Sequence, residues 1–169
     1  KINLTLDILG KLPNGYHSLS MVMQSVSLHD DVTLRMEPEN PGIRVDCGEA
    51  APSGPDNIVW KAARAFFDSC GISAYGVSFT VTKRTPSQAG MGGGSSDAAA
   101  ALRLLNRVFQ TRLTARELRA LGARIGADVP FCITGGTMKA EGIGERLTPA
   151  APLPRCSILL CKPPIGVST

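Results

Sequence analysis

The order of elements in this chain predicts an α+β fold, with helices packed on one face of a largely antiparallel sheet. Three observations carry the prediction. Short alternating segments fill the first part of the chain, helical patterns dominate its middle, and short apolar runs return after residue 130. At 169 residues the chain fits one domain, large enough for a real core.

Residues 1 to 9 alternate strictly, with Ile2, Leu4, Leu6 and Ile8 on one side and Lys1, Asn3, Thr5 and Asp7 on the other. That pattern predicts a half-buried strand, and it puts Lys1 and Asn3 on a shared face. Residues 11 to 15 supply turn chemistry. Tyr16 and His17 open a second extended segment, continued by Val22, Gln24, Val26 and Leu28. His29-Asp30-Asp31 breaks it. Val32, Leu34 and Met36 mark a third strand, Ile43 and Val45 a short fourth. After a loop at 52–56, Ile58, Ala62 and Phe66 recur at helical spacing beside Val59, Ala63 and Phe67, and Gly71 ends that helix. Val77, Phe79 and Val81 predict a strand that leads into a glycine loop.

Leu102, Leu105, Val108 and Phe109 stripe the helix beyond that loop. A third helix begins at Thr114, where Thr-x-x-Glu to Glu117 is a capping box; Leu118, Leu121 and Ile125 are its buried side and Gly126 its stop. Pro130 pushes Val129 towards extended geometry, so Asp128 is expected at a sharp helix-to-strand junction. Residues 133–139, 140–147 and 157–160 read as closing strands.

Composition is ordinary for a soluble globular protein, and no apolar run approaches membrane-spanning length. No signal peptide pattern opens the chain, and a cytoplasmic location with no membrane partner is expected. Cys47, Cys70, Cys132, Cys156 and Cys161 are odd in number and form no C-x-x-C pair, which predicts reduced, mostly buried thiols. With His17 and His29 so scattered, no metal ligand is assigned. The net charge of +4 is mild. Its densest basic stretch (Arg103, Arg107, Arg112, Arg116, Arg119 and Arg124) reads as a solvated helix face, weakly biased towards phosphate-bearing ligands.

Residues 86 to 97 read Pro-Ser-Gln-Ala-Gly-Met-Gly-Gly-Gly-Ser-Ser-Asp and run into a string of alanines. Gly90, Gly92, Gly93 and Gly94 let backbone N–H groups approach a ligand, and Ser95 or Ser96 can cap the following helix. The unpaired N–H groups and positive dipole end of such a helix favour phosphate. No Gly-Lys-Ser/Thr closes the loop, so it is not a Walker A motif, and Ser95 stands where a dinucleotide fingerprint needs its third glycine. The plain alternative is a flexible linker ahead of a helix.

Taken from Pro86 through Ser87, Gln88, Ala89, Gly90, Met91 and the triple glycine to Ser96-Asp97-Ala98-Ala99, this stretch resembles the phosphate-binding signature of the GHMP kinase superfamily. Lys1-Ile2-Asn3-Leu4, Asn14-Gly15-Tyr16-His17, Asp56-Asn57-Ile58-Val59, Gly126-Ala127-Asp128-Val129-Pro130 and the final Gly166-Val167-Ser168-Thr169 narrow the resemblance. They point to the branch whose substrate is 4-diphosphocytidyl-2-C-methyl-D-erythritol, in the non-mevalonate route to isoprenoids. The resemblance implies a ribosomal protein S5 domain 2-like fold and ATP-dependent phosphorylation of the substrate's 2-hydroxyl, with Mg2+. It also implies that residues 1–169 are the N-terminal, ATP-binding domain, that 157–169 begin a C-terminal half, and that the C-terminal domain itself is absent.

By the same resemblance, residues Pro86 to Ser96 hold the ATP phosphates, while Asn57 and Lys83 border the adenine. Asp128 accepts or orients the hydroxyl proton and Lys1 keeps it ionised. Asn3, Tyr16, His17, Asp128 and Thr169 contact the cytidine diphosphate methylerythritol. A turn aspartate, a surface lysine and a helix-capping asparagine are the plain readings of Asp128, Lys1 and Asn57. A monomer or weak homodimer with no nucleic-acid partner is expected. Still open are a homoserine- or mevalonate-type kinase, a nucleotide-binding half that catalyses nothing, and an S5-like nucleic-acid module.

Overall fold

The computed structural model describes residues 1–163 except Leu12, Asn14, Tyr16 and Ala74. Tyr16 and Thr169, both expected at the substrate site, lie outside the described residues, as do the other residues of 164–169. The strands are β1 (Ile2–Lys11), β2 (His17–Gln24), β3 (Asp31–Met36), β4 (Gly42–Asp46), β5 (Gly76–Thr82), β6 (Thr137–Gly142) and β7 (Arg146–Pro149). The helices are α1 (Ile58–Cys70), α2 (Gly93–Val108), α3 (Ala115–Ala123) and α4 (Val129–Thr134).

The strands form two sheets where one was expected. Four antiparallel strands run in the order β1-β2-β6-β7, and a three-stranded sheet runs β3-β5-β4. β3 and β5 pair antiparallel, while β4 and β5 pair parallel because α1 crosses between them. The largely antiparallel α+β expectation holds.

Local chemistry sets the helix ends. Asn57 caps α1 by accepting the Val59 N–H at 2.7 Å, and Gly71 closes it in the left-handed region at φ 65°. Thr114 and Glu117 form the expected capping box of α3, which ends at Ala123 rather than Gly126. The main core lies between the three-stranded sheet and the helices, with Phe66, Phe67, Phe79, Leu102 and Leu105 fully buried. Tyr75 stacks on Phe67 at 3.7 Å, and Phe109 meets the same ring edge-on at 5.1 Å. A smaller cluster of Met21, Met23, Phe131 and Ala140 ties β2 and β6 to α4.

Several expectations are corrected. β1 is not half-buried: Leu6 is 48% and Ile8 64% exposed, because no helix covers either residue and β1 is an edge strand. β2 stops at Gln24, opposite both Ile2 and Thr137, so no neighbouring strand remains to pair Val26 or Leu28. Residues 129–134 are helical where a junction into a strand was expected. Pro130 falls in the first turn of α4, where a missing N–H costs nothing. Residues 157–160 form no strand and are exposed. Nor are the cysteines mostly buried; all five are free, with Cys156 and Cys161 exposed and the others intermediate.

Candidate active site

A cleft of about 710 Å³ opens where the phosphate loop, the start of β1 and the start of α4 meet. Lys1, Asn3, Asn57, Lys83, the whole stretch from Pro86 to Ser95, and Asp128 line it. Residues scattered over most of the chain therefore converge on one concave surface.

The loop is shaped by its glycines at two points of close approach. Gly92, at φ 64°, is the N-cap of α2, and a Cβ there would stand 3.1 Å from Asp128 Oδ2 and 3.2 Å from Lys1 Cε. A Cβ at Gly93 would meet Thr85 at 3.2 Å and Lys83 Nζ at 3.3 Å. The helix thus begins two residues before the expected serine cap. Ser96 is already inside its first turn, its hydroxyl donating to the Gly93 carbonyl at 2.7 Å, and it does not line the cleft. Ser95 does. The N–H groups at the start of α2 are left facing the cleft, the arrangement that receives a phosphate.

Lys1 and Asp128 form an ion pair across the loop. Lys1 Nζ lies 3.2 Å from Asp128 Oδ2, with the lysine side chain 6% and the aspartate 28% exposed. The same ammonium donates to Asn3 Oδ1 at 3.1 Å, and the Lys1 backbone nitrogen donates to the Met91 carbonyl at 3.0 Å. The alternation that put Lys1 and Asn3 on one face therefore has a geometric consequence. Asp128 precedes α4 but makes no side-chain capping bond, so its carboxylate is not spent on the helix. Asn57 caps α1 as its plain reading expected, donates to the Pro52 carbonyl at 2.7 Å and to Cys47 Sγ at 3.3 Å, and also lines the cleft.

Lys83 is more than a border residue. Its ammonium bridges Asp30 Oδ2 at 2.5 Å and Asp97 Oδ2 at 2.7 Å. Asp30 also accepts the backbone N–H groups of Arg84 and Thr85 at 2.6 and 2.7 Å. Burial works against ionising Asp30, yet the Lys83 bond and these N–H groups outweigh it and hold its pKa at about 2. Burial wins at Asp97, where the Lys83 ammonium is shared with Asp30 and the neighbouring Asp30 carboxylate adds to the effect, and pushes it up to about 6. Asp30 escaped the sequence reading as a mere strand breaker. Asp97 had a signal: it falls on the buried stripe with Ala101 and Leu105, where a charge requires a partner.

His17 does not line the cleft. It is exposed and pairs with Lys11 at the far end of the β1–β2 ladder from Lys1, roughly 30 Å along a ten-residue strand.

Residues 57–136 match the family model described as the GHMP kinases N terminal domain. The 4-diphosphocytidyl-2-C-methyl-D-erythritol kinase of Lachnoclostridium phytofermentans is 48% identical over 170 residues, covering all of this chain and 58% of that protein. The chain belongs to the GHMP kinase superfamily. The kinase of the same name from Acetivibrio thermocellus is 46% identical, over all of this chain and 59% of its own length. A crystal structure titled 4-(cytidine 5'-diphospho)-2C-methyl-D-erythritol kinase superposes with TM-score 0.74 at 36% identity, covering 89% of this chain and 52% of the other. Mevalonate kinase of Methanococcus jannaschii shares the GHMP fold at TM-score 0.63 and 12% identity, over 82% of this chain and 50% of that one. This GHMP chain spans about three-fifths of the length of the curated relatives it matches.

Proposed function

We propose that this chain supplies the ATP-binding and catalytic wall of a kinase that phosphorylates the 2-hydroxyl of 4-diphosphocytidyl-2-C-methyl-D-erythritol. The observation that carries the reading is the Lys1–Asp128 pair, 3.2 Å apart and in contact distance of the loop glycine that opens α2. The names of the curated relatives support the substrate.

Phosphoryl transfer needs a held triphosphate, an oriented hydroxyl and a place for its proton. The N–H groups from Gly92 to Ser95 hold the phosphates, with the α2 dipole adding positive potential. Asp128 accepts the proton as the substrate oxygen bonds to the γ-phosphorus, and the bond from phosphorus to the bridging oxygen of ADP breaks. Lys1 keeps Asp128 ionised for that step and sits where it can offset charge on the transferring group. Mg2+ brought by the nucleotide would offset phosphate charge, held there through the phosphates that the loop from Gly92 to Ser95 cradles. Among the described residues no three His, Cys, Asp or Glu side chains converge on a metal. Asn3, tethered to Lys1, faces the methylerythritol, and Asn57 lines the cleft on the adenine side. Tyr16 and Thr169 are proposed contacts for the cytidine diphosphate portion, whereas His17, outside the cleft, is not.

Transfer from labelled ATP to this substrate tests the reading, using the chain beside a version extended to the length of its relatives. Turnover by the extended version is expected, and its absence despite nucleotide binding would overturn the substrate. Asp128→Asn should lower turnover by roughly 10²–10⁴ while ATP affinity changes little. Parallel loss of ATP affinity would make Asp128 structural instead.

A further inference from the structure

The trio of Asp30, Lys83 and Asp97 does more than close the base of the loop, and the inference below rests on the reading that the cleft takes a nucleoside triphosphate. One ammonium faces two carboxylates in a nearly dry setting: the side chains of Asp30, Asp97 and Lys83 are 0%, 6% and 15% exposed. Asp30 is the anchored member, because Lys83 and two backbone N–H groups all serve it. Asp97 receives the Lys83 bond and no backbone donor. The trio therefore holds one surplus negative charge, and that charge sits on Asp97.

Its position matters for an anionic ligand. Lys83 and Asp97 both line the cleft, and the Lys83 ammonium lies against Gly93, the first residue of α2. A polyphosphate seated on Gly92 to Gly94 brings further negative charge to the same wall. Like charges in a poorly solvated site do not all stay ionised. The remaining titratable neighbours offer no relief. Burial pushes the Cys47 thiol, beyond the end of β4, above its ordinary value, and raises the Cys132 thiol of α4 to about 11. The Lys1–Asp128 pair lies across Gly92 and is already matched.

We propose that binding of a nucleoside triphosphate draws one proton from solvent onto a carboxylate oxygen of Asp97. The trio then turns from net negative to neutral, and Lys83 presents its charge to the phosphates without a competing carboxylate. Asp97 is on this account a positioning residue that sets the charge of the wall. By linkage, nucleotide affinity rises as the pH falls from the raised pKa of nucleotide-bound Asp97 towards its free value, about 6, and levels off below it.

The test is calorimetric titration of the full-length protein with a non-hydrolysable ATP analogue and Mg2+, in buffers of different ionisation enthalpy. Wild type should take up more protons than Asp97→Asn, by about half a proton per site near pH 6.5 for a one-unit rise in the Asp97 pKa. Between about pH 8 and about pH 6 its affinity should gain about fivefold more than that of the variant, the equivalent of a one-unit rise in the Asp97 pKa. Equal proton uptake and parallel pH profiles would overturn the proposal. Should Asp97→Asn not fold, the carboxyl carbon signal of Asp97 in the wild-type protein decides: it moves to its protonated position on adding nucleotide, or the proposal fails. Absence of any binding heat would instead overturn the nucleotide reading beneath it.

Discussion

The two sheets of this domain are built to different standards. Around β3-β5-β4 the helices close a dense core, in which Phe66, Phe67, Val77 and Leu102 show no exposed surface. The β1-β2-β6-β7 sheet rests on a small cluster, and its edge strand shows Leu6, Ile8 and Leu9 to solvent at 48, 64 and 65%. The cleft lies on the seam. The phosphate loop and Asp128 come from the well-packed side, whereas Lys1 and Asn3 come from the thinly packed one. Packing is thus unevenly distributed about the cleft: one side carries the glycine loop and Asp128 on a dense core, and the other brings Lys1 to the Asp128 carboxylate.

That contrast can be broken at its strong side first. Phe66→Ala should cost about 3–5 kcal/mol, because the ring is fully buried between α1 and the rest of the core and cannot be replaced by collapse. Chemical denaturation measures it, and a loss below about 1 kcal/mol would contradict the core assignment. Next comes Asp30, on the same side. Its folded pKa, about 2, is below the ordinary aspartate value of 3.8, so its contribution is present above about pH 4 and is lost as the pH falls towards 2. The shift corresponds to about 2 kcal/mol, and Asp30→Asn should flatten that part of the stability–pH curve. Asp97 has the opposite sign, since its raised pKa makes the folded state gain protons, and stability, as the pH falls from about 6 towards 4.

Smaller effects sharpen the comparison. Thr114→Ala removes the capping box of α3 and should cost about 1 kcal/mol, read as a lower denaturation midpoint. Ile8→Thr, on the exposed strand, should change stability by about 0.5 kcal/mol or less. A cost comparable to Phe66→Ala would show that β1 is held far more tightly than its exposure indicates.

Much of this was legible in the residues because it is local. The caps at Asn57, Gly71 and Thr114, the stripe of Leu102 and Leu105, and the glycine loop all depend on neighbours within a few positions. Lys1 and Asn3 were placed together by a period of two. The misreadings share a cause of the other kind. Strand alternation at β1 says which side chains share a face, not whether anything packs on that face. Pro130 fits an extended turn or a helical first turn equally well until Asp128 and α4 are placed.

The amino-acid sequence by itself determined most element types, most helix ends and the place of the glycine loop, since hydrogen-bonding options and backbone freedom act over one turn or one strand. Only the tertiary structure decided that there are two sheets, that α2 is capped at Gly92 rather than at a serine, and that Lys83 is shared by Asp30 and Asp97. Those outcomes depend on groups 14 to more than 50 residues apart meeting where water is excluded, so that a charge must find a partner wherever the chain brings one.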